Sequence, residues 1–200
     1  KMVAIAAATD KPSKDNKVSI KSQTEVVFPK NEATDMFYTY QDIVVKDREE
    51  RQNYDCILKR GVTVLQLDSR SEIRPDYIKS FKCTITGNCG NVFDPSTGHC
   101  LQPATLTKTY DISGDRFKAK RFLFTIYFFL GADDVTDITL TTQSTDTEDK
   151  VAKDLSFENV HMVKGKMTIY KGPFLSTHSS ASFIIDSPTI PDSGFSTEFE

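Results

Sequence analysis

The stretch that decides the fold lies between residues 58 and 98, and it contains LKRGVTVLQL at 58–67, FKCTITG at 81–87 and DPSTG at 94–98. Alternate residues of a strand point to the same face, so Phe81, Cys83 and Ile85 share one side while polar residues share the other. Val, Ile and Thr dominate both runs, which favours strands. The pattern predicts strands with one buried and one solvent-exposed face.

Two glycine positions within this stretch predict changes in chain direction. From Asp94 to Gly98 the chain is expected to reverse, because Pro95 fixes its own φ and Gly98 tolerates a positive φ. Gly61 interrupts the first run, and the parity of the apolar residues changes across it. We interpret that change as a β-bulge or as a strand that passes between two sheets.

Strand patterns continue through the rest of the chain at intervals typical of a β-sandwich. The longest apolar run, FLFTIYFFL at 122–130, is much shorter than the roughly 20 residues of a membrane-spanning helix. It predicts a core strand that is covered on both faces. Only residues 149–155 carry a weak helical pattern.

The N-terminal part is predicted to be a separate piece of β structure. Short strand patterns occur at 2–7, 18–20, 25–28 and 42–45, and a charged run without apolar residues follows at 46–53. We place a domain boundary in that run, with residues 1–50 in an N-terminal sandwich and residues 51–200 in a C-terminal one. A solvated hairpin tip inside one domain is the alternative.

Composition excludes several classes of partner. The chain has 25 basic and 28 acidic residues among 200, a net charge of -3, and 38% hydrophobic residues. This balance gives no basic surface for nucleic acid and no cationic helix for a membrane surface. The apolar content is sufficient for a core.

The four cysteines leave two readings open. Cys83 and Cys89, if they lie on one strand, are separated by roughly 20 Å at about 3.3 Å per residue and cannot bond each other. A bridge between Cys89 and Cys100 across the turn is the favoured pairing. Buried free thiols are the alternative.

No motif in the sequence has the spacing of a catalytic, metal or cofactor site. His99, His161 and His178 share no local pattern, and the cysteines form no second pair at zinc-site spacing. The acidic runs at 133–134 and 146–149 do not match a calcium loop and are interpreted as turns. We therefore predict a protein that is not an enzyme and carries no cofactor.

Three motif pairs resemble the fimbrillin-like proteins of Bacteroidetes. They are DMFY at 35–38 with ILKRGVTV at 57–64, CTITG at 83–87 with FDPSTG at 93–98, and IID at 184–186 with IPDSGF at 190–195. The sequence departs from that family after Arg60, where Gly61 replaces the Ala or Val that is common there. It also contains no lipid-carrying N-terminal Cys.

The resemblance implies tandem transthyretin- or immunoglobulin-like β-sandwiches, of which the first is incomplete here. It also implies a lipoprotein of the cell surface, outer membrane or fimbrium, either a pilus subunit or its anchor, that joins other pilin subunits by strand complementation. Its membrane contact would be made only through an N-terminal lipid outside this chain, and a host surface ligand is a further expected partner.

The open edge for strand exchange is expected on the first strand pattern, at Met2, Val3, Ala4, Ile5 and Ala6. We interpret the chain, which opens directly on that pattern, as trimmed from a longer protein. The alternative function is a secreted β-sandwich module that binds a carbohydrate or protein ligand without polymerising.

Overall fold

The fold is all-β, as predicted. The computed structural model describes residues 1–7, 18–28, 32–44, 53–114, 117, 121–175 and 184–186. The first five strands are β1 (Met2–Ala7), β2 (Ser19–Ser22), β3 (Glu25–Val27), β4 (Met36–Gln41) and β5 (Lys59–Arg60).

The remaining strands follow one another with short connections. They are β6 (Thr63–Asp68), β7 (Ile78–Gly87), β8 (Cys89–Gly90), β9 (Val92–Asp94), β10 (His99–Cys100), β11 (Leu106–Asp111), β12 (Leu123–Leu130), β13 (Val135–Asp146), β14 (Val151–Val163), β15 (Met167–Lys171) and β16 (Ile184–Asp186).

Two sheets form a sandwich around the first hydrophobic cluster. One sheet has the strand order β11-β7-β13-β14, and the other has the order β16-β15-β6-β12-β8. Phe81, Leu140 and Phe128, all fully buried, represent the strands that meet in this cluster. The alternation predicted for β7 is confirmed, since Phe81, Cys83 and Ile85 are buried while Lys82 and Thr84 are half-buried and Thr86 is exposed.

The second hydrophobic cluster joins the N-terminal strands to the sandwich. Phe28, Met36 and Tyr38 from the N-terminal part pack with Phe93 and Phe129. These strands belong to two smaller sheets, ordered β1-β4-β5 and β10-β9-β3-β2. Strands from both sides of the charged run are therefore hydrogen-bonded to each other, as β4 is to β5 and β3 is to β9.

The predicted boundary itself falls largely outside the described residues, because residues 45–52 are not among them. The division into residues 1–50 and 51–200 stays a prediction. The pairings of β4 with β5 and of β3 with β9 show only that the two parts share sheets.

Gly61 marks the passage of the chain from one sheet to another, which was one of its two predicted roles. β5 pairs with β4, whereas β6, which begins two residues after Gly61, pairs with β12. The Gly61 amide donates to the Met36 carbonyl at 3.0 Å, and a Cβ at this position would overlap the Met36 Cε. A side chain at this position would therefore require the Met36 side chain to move.

The turn at 94–98 is confirmed as the hairpin between β9 and β10. The Asp94 carboxylate accepts hydrogen bonds from the Ser96 amide at 2.8 Å and the Ser96 hydroxyl at 2.6 Å. The Gly98 amide donates to the Asp94 carbonyl at 2.8 Å, and Gly98 has φ 77°.

Two local predictions were wrong. The helical pattern at 149–155 is overridden, because Val151 begins β14, the edge partner of β13 in ten registered pairs from Val135↔Val163 to Thr145↔Val151. The strand expected at 42–45 is not formed at residues 42–44, and Val45 lies outside the described residues. The strand instead occupies Met36–Gln41, where its buried side chains belong to the second cluster.

Candidate functional site

The predicted exchange edge forms strand β1, which has one strand neighbour among the described residues. β1 pairs antiparallel with β4 from Met2↔Gln41 to Ala7↔Met36, and it stands at the end of the sheet order β1-β4-β5. Lys1 Nζ lies 2.6 Å from Asp42 Oδ1, so an ion pair fixes the start of the strand. Backbone groups on the other side of β1 have no strand partner in the described part of the chain.

The side chains of β1 are uncharged and mostly small. Ile5 and Ala7 pack against the second hydrophobic cluster, and all six residues are half-buried. Alternation along the strand directs Ala4 and Ala6 to the opposite face. The strand therefore combines one anchored face with a second face whose side chains after Met2 are methyl groups.

A cavity of about 300 Å³ lies between the open edges of β11 and β12. β11 has only β7 as a strand neighbour among the described strands, and the β12 edge that faces away from β6 is paired there only near its C-terminal end, with β8 and through an isolated bridge between Ala33 and Tyr127. Buried Ile85 and Ile126 line the cavity. Its walls thus combine unpaired strand edges with an apolar lining.

Glu32 and Lys108 also line this cavity, and they connect it to polar groups of the neighbouring strands. Lys108 Nζ lies 3.3 Å from Glu32 Oε2 and 5.4 Å from the centroid of the Tyr110 ring. The Tyr110 hydroxyl donates to the Thr125 carbonyl at 3.0 Å and so occupies part of the open β12 edge. Burial raises the pKa of the Tyr110 phenol, which keeps it protonated and able to donate. Sequence reasoning missed this grouping, because Glu32, Lys108 and Thr125 are distant along the chain.

The structure holds Cys89 and Cys100 as free, buried thiols that face different clusters. Cys89 packs in the first cluster and Cys100 in the second. Burial, and secondarily the neighbouring Cys100, raise the pKa of Cys89 to about 12, and burial also raises the pKa of Cys100. Burial therefore favours the protonated form of both thiols. The bridge between them stays a prediction.

A cluster of ionisable side chains lies beside the 94–98 turn. Lys164 Nζ is 3.1 Å from Asp134 Oδ1 and 3.3 Å from His99 Nε2. Burial, and then the charge of Lys164, lower the pKa of His99, while Asp134 acts in the opposite direction. His99 Nδ1 and the nearby Tyr38 hydroxyl are buried, and neither has a hydrogen-bond partner among the described residues. Lys164, Asp134 and His99 thus form a network of charged and polar side chains, and none of these three is a Ser or Cys nucleophile.

Neither a metal site nor a spanning helix is found in the part of the chain that the structure describes. No group of three or more His, Cys, Asp or Glu side chains there is arranged to hold a metal ion. No helix in those ranges is long and apolar enough to cross a membrane.

Comparison with known proteins gives one structural similarity. No protein-family model matches the chain, and no curated protein matches it. The solved structure of a putative adhesin from Bacteroides ovatus ATCC 8483 aligns with a TM-score of 0.46 and 11% sequence identity. The alignment covers 78% of this chain and 63% of that one, so this chain spans less than two thirds of its length. At this TM-score the alignment supports no conclusion about function.

Proposed function

We propose that the protein is a structural or adhesive subunit of the cell surface that assembles with further subunits by strand exchange at β1. The observation that carries the proposal is the single strand neighbour of β1 among the described residues. An unpaired edge offers a row of backbone donors and acceptors to a strand from another chain. Pairing at that edge would give affinity without any further binding site.

The composition of β1 supports this role. Natural edge strands are usually protected from pairing by charged residues or proline. Residues 2–7 read MVAIAA and contain neither. The other described edge strands longer than two residues each carry a charge, as Lys21 does on β2, Lys108 on β11, Lys153 on β14 and Asp186 on β16.

A lysine placed on β1 tests the proposal. Ala4 lies on the face opposite Ile5 and Ala7, so Ala4→Lys adds the protective charge with little effect on the second cluster. The matched control is Thr109→Lys, which adds the same charge to an exposed position of another open edge, β11. Light scattering over a range of concentrations should show self-association for the wild type and Thr109→Lys, and monomers for Ala4→Lys. A monomeric wild type, or equal behaviour of the two variants, would contradict strand exchange at β1.

The proposal includes a location at the cell surface. It also includes the absence of enzymatic activity. We infer a place in the outer membrane or fimbrium from the resemblance of the sequence motifs to fimbrillin-like proteins. Antibody labelling of intact cells, compared with permeabilised cells, measures it directly. Signal only after permeabilisation would contradict a surface role.

A secreted binding module for a carbohydrate or protein ligand is the second candidate, and the cavity between β11 and β12 favours it. Its volume of about 300 Å³ is at the lower end of the range for small-molecule sites. Thr105 lines this cavity and is exposed, so Thr105→Trp should fill its mouth. Loss of glycan-array binding in Thr105→Trp, but not in Thr109→Trp, would favour this function over strand exchange.

A further inference from the structure

A cleft with an excess of positive charge lies where β6 and β15 end and β12 begins. Its volume is about 600 Å³, and Asp68, Arg70, Arg121 and Lys171 line it. The strand registers explain the grouping, because Lys171 at the end of β15 stands beside Asp68 at the end of β6. The start of β12 lies on the other side of Asp68, which brings Arg121 to the same place.

The one carboxylate in the cleft is already neutralised. Arg70 donates to Asp68 from Nε at 2.8 Å and from Nη2 at 2.6 Å, and the Arg70 amide adds a third hydrogen bond at 3.0 Å. The hydrogen bonds from Arg70 lower the pKa of Asp68, and Lys171 contributes to the same effect. The cleft therefore contains three cations and one carboxylate, and the charge of that carboxylate is already balanced by Arg70.

Two of the cationic groups can still donate outward. Arg121 is exposed and has no hydrogen-bond or ion-pair partner in the described ranges. The bidentate contact with Asp68 holds the Arg70 guanidinium in place and leaves its Nη1 group unpaired within the same ranges. An arginine fixed in this way presents a planar set of donors that matches an oxyanion.

The wall of the cleft at Gly172 and Pro173 is held in position. Lys153 Nζ donates to the Pro173 carbonyl at 2.7 Å, and the Leu175 amide donates to Glu72 Oε1 at 2.7 Å. The Gly172 amide donates to the Asp68 carbonyl at 3.0 Å. These bonds hold the wall of the cleft in place, and the bidentate contact with Asp68 holds Arg70, which together reduce the entropic cost of binding.

We propose that this cleft binds the sulfate or carboxylate groups of an anionic polysaccharide. The whole chain carries a net charge of -3, so a polyanion would be attracted to this site rather than to the surface in general. An anionic membrane is the weaker fit, since basic segments that hold membranes usually contain about four to eight cations. The proposal is independent of strand exchange at β1.

Heparin, a sulfated polysaccharide, is the probe for the experiment. Titration calorimetry at low salt compares the wild type with the double variant Arg121→Gln, Lys171→Gln. The matched control is Lys79→Gln, Lys150→Gln, which removes two charges from exposed ion pairs at another loop. We expect an affinity loss of about tenfold or more in the cleft variant and below about twofold in the control, because each charge-assisted hydrogen bond contributes to binding.

Arg121→Gln alone keeps the test valid if the double variant does not fold, because Arg121 is exposed and unpaired among the described residues. Polygalacturonate, as a carboxylated probe, shows which anion the cleft prefers, and binding of either polymer that depends on the cleft supports the proposal. The proposal would be overturned if the wild type bound neither heparin nor polygalacturonate. Equal losses in the two double variants, or stronger binding to anionic lipid vesicles than to either polymer, would also overturn it.

Discussion

The two hydrophobic clusters of the molecule are built in different ways. The first lies between two sheets, and in β7 and β13, the central strands of one of them, buried residues alternate with half-buried ones over most of the strand. The second joins β3 and β4 to Phe93 and Phe129, which lie much further along the chain. The first cluster thus follows from local strand patterns, whereas the second depends on how distant segments meet.

Close contacts replace regular patterning in the second cluster. Tyr38 is buried, its hydroxyl has no hydrogen-bond partner in the described part of the chain, and that hydroxyl occupies the space where a Cβ on Gly98 would lie. Gly61 is similarly close to Met36. The second cluster therefore tolerates little change at Gly98, in addition to the sensitivity at large side chains that both clusters share.

The largest expected effect comes from removing one aromatic ring from each cluster. Phe81 is stacked on Phe124 with ring centroids 4.2 Å apart, and Phe93 lies 4.7 Å from Phe129 by the same measure. Phe81→Ala and Phe93→Ala should each lower the free energy of unfolding by about 3–5 kcal/mol, through lost burial and the cavity that remains. Denaturant titration measures both values.

Both variants should also unfold in a single transition. β12 supplies Phe128 to the first cluster and Phe129 to the second, so one strand connects the two. If Phe93→Ala unfolds in two steps while Phe81→Ala unfolds in one, the N-terminal strands form a separate cooperative unit. That result would favour the predicted division near residue 50.

The next largest effect is a difference in the stability lost when alanine replaces each of two turn glycines with a positive φ, Gly98 and Gly165. Gly98 has φ 77° and no room for a side chain beside Tyr38, whereas Gly165 has φ 70° and no atom within 4 Å of the Cβ position. Gly165→Ala should cost about 1–2 kcal/mol for the backbone conformation alone. Gly98→Ala should cost about 2–4 kcal/mol, because overpacking adds to the same strain. Denaturant titration of the two variants measures the difference.

Tyr38→Phe provides the check on that interpretation. It removes the hydroxyl that the new methyl group of Gly98→Ala would meet. The double variant should therefore recover part of the stability that Gly98→Ala alone loses. Additive effects in the double-mutant cycle would show that the clash does not contribute.

The first cluster was well predicted because the information that specifies it is local. The buried positions of β7 follow a period of two from Phe81 to Ile85, and the 94–98 turn is specified by Asp94 and Gly98 themselves. The run at 122–130 was predicted to be covered on both faces, and this holds at Phe128 and Phe129. It does not hold at Leu123, which is 42% exposed because the N-terminal strands cover only the far end of β12.

The candidate sites were less predictable, since they depend on contacts between distant segments. β1 was predicted with its bounds, but its single neighbour in the described part of the chain is known only once β4 is in place. The cationic cleft requires the registers of β15, β6 and β12, which bring Lys171 and Arg121 to Asp68. No pattern of spacing in one segment carries that information.

The smallest expected effect is a dependence of stability on pH at the boundary of the second cluster. Burial, and then Lys164, lower the pKa of His99 below its ordinary value of 6.5. Above that value the imidazole is neutral in both states, and as the pH falls below it the unfolded chain binds the proton first. Stability should therefore decrease with falling pH until the folded pKa is reached. His99→Gln should reduce the fall in melting temperature between about pH 7.5 and pH 5, whereas His161→Gln, at an exposed histidine paired with Asp137, is the control. If the melting temperature of His99→Gln fell as much as that of the wild type, groups other than His99 would set the pH dependence. The pH dependence would then not be specific to the second cluster.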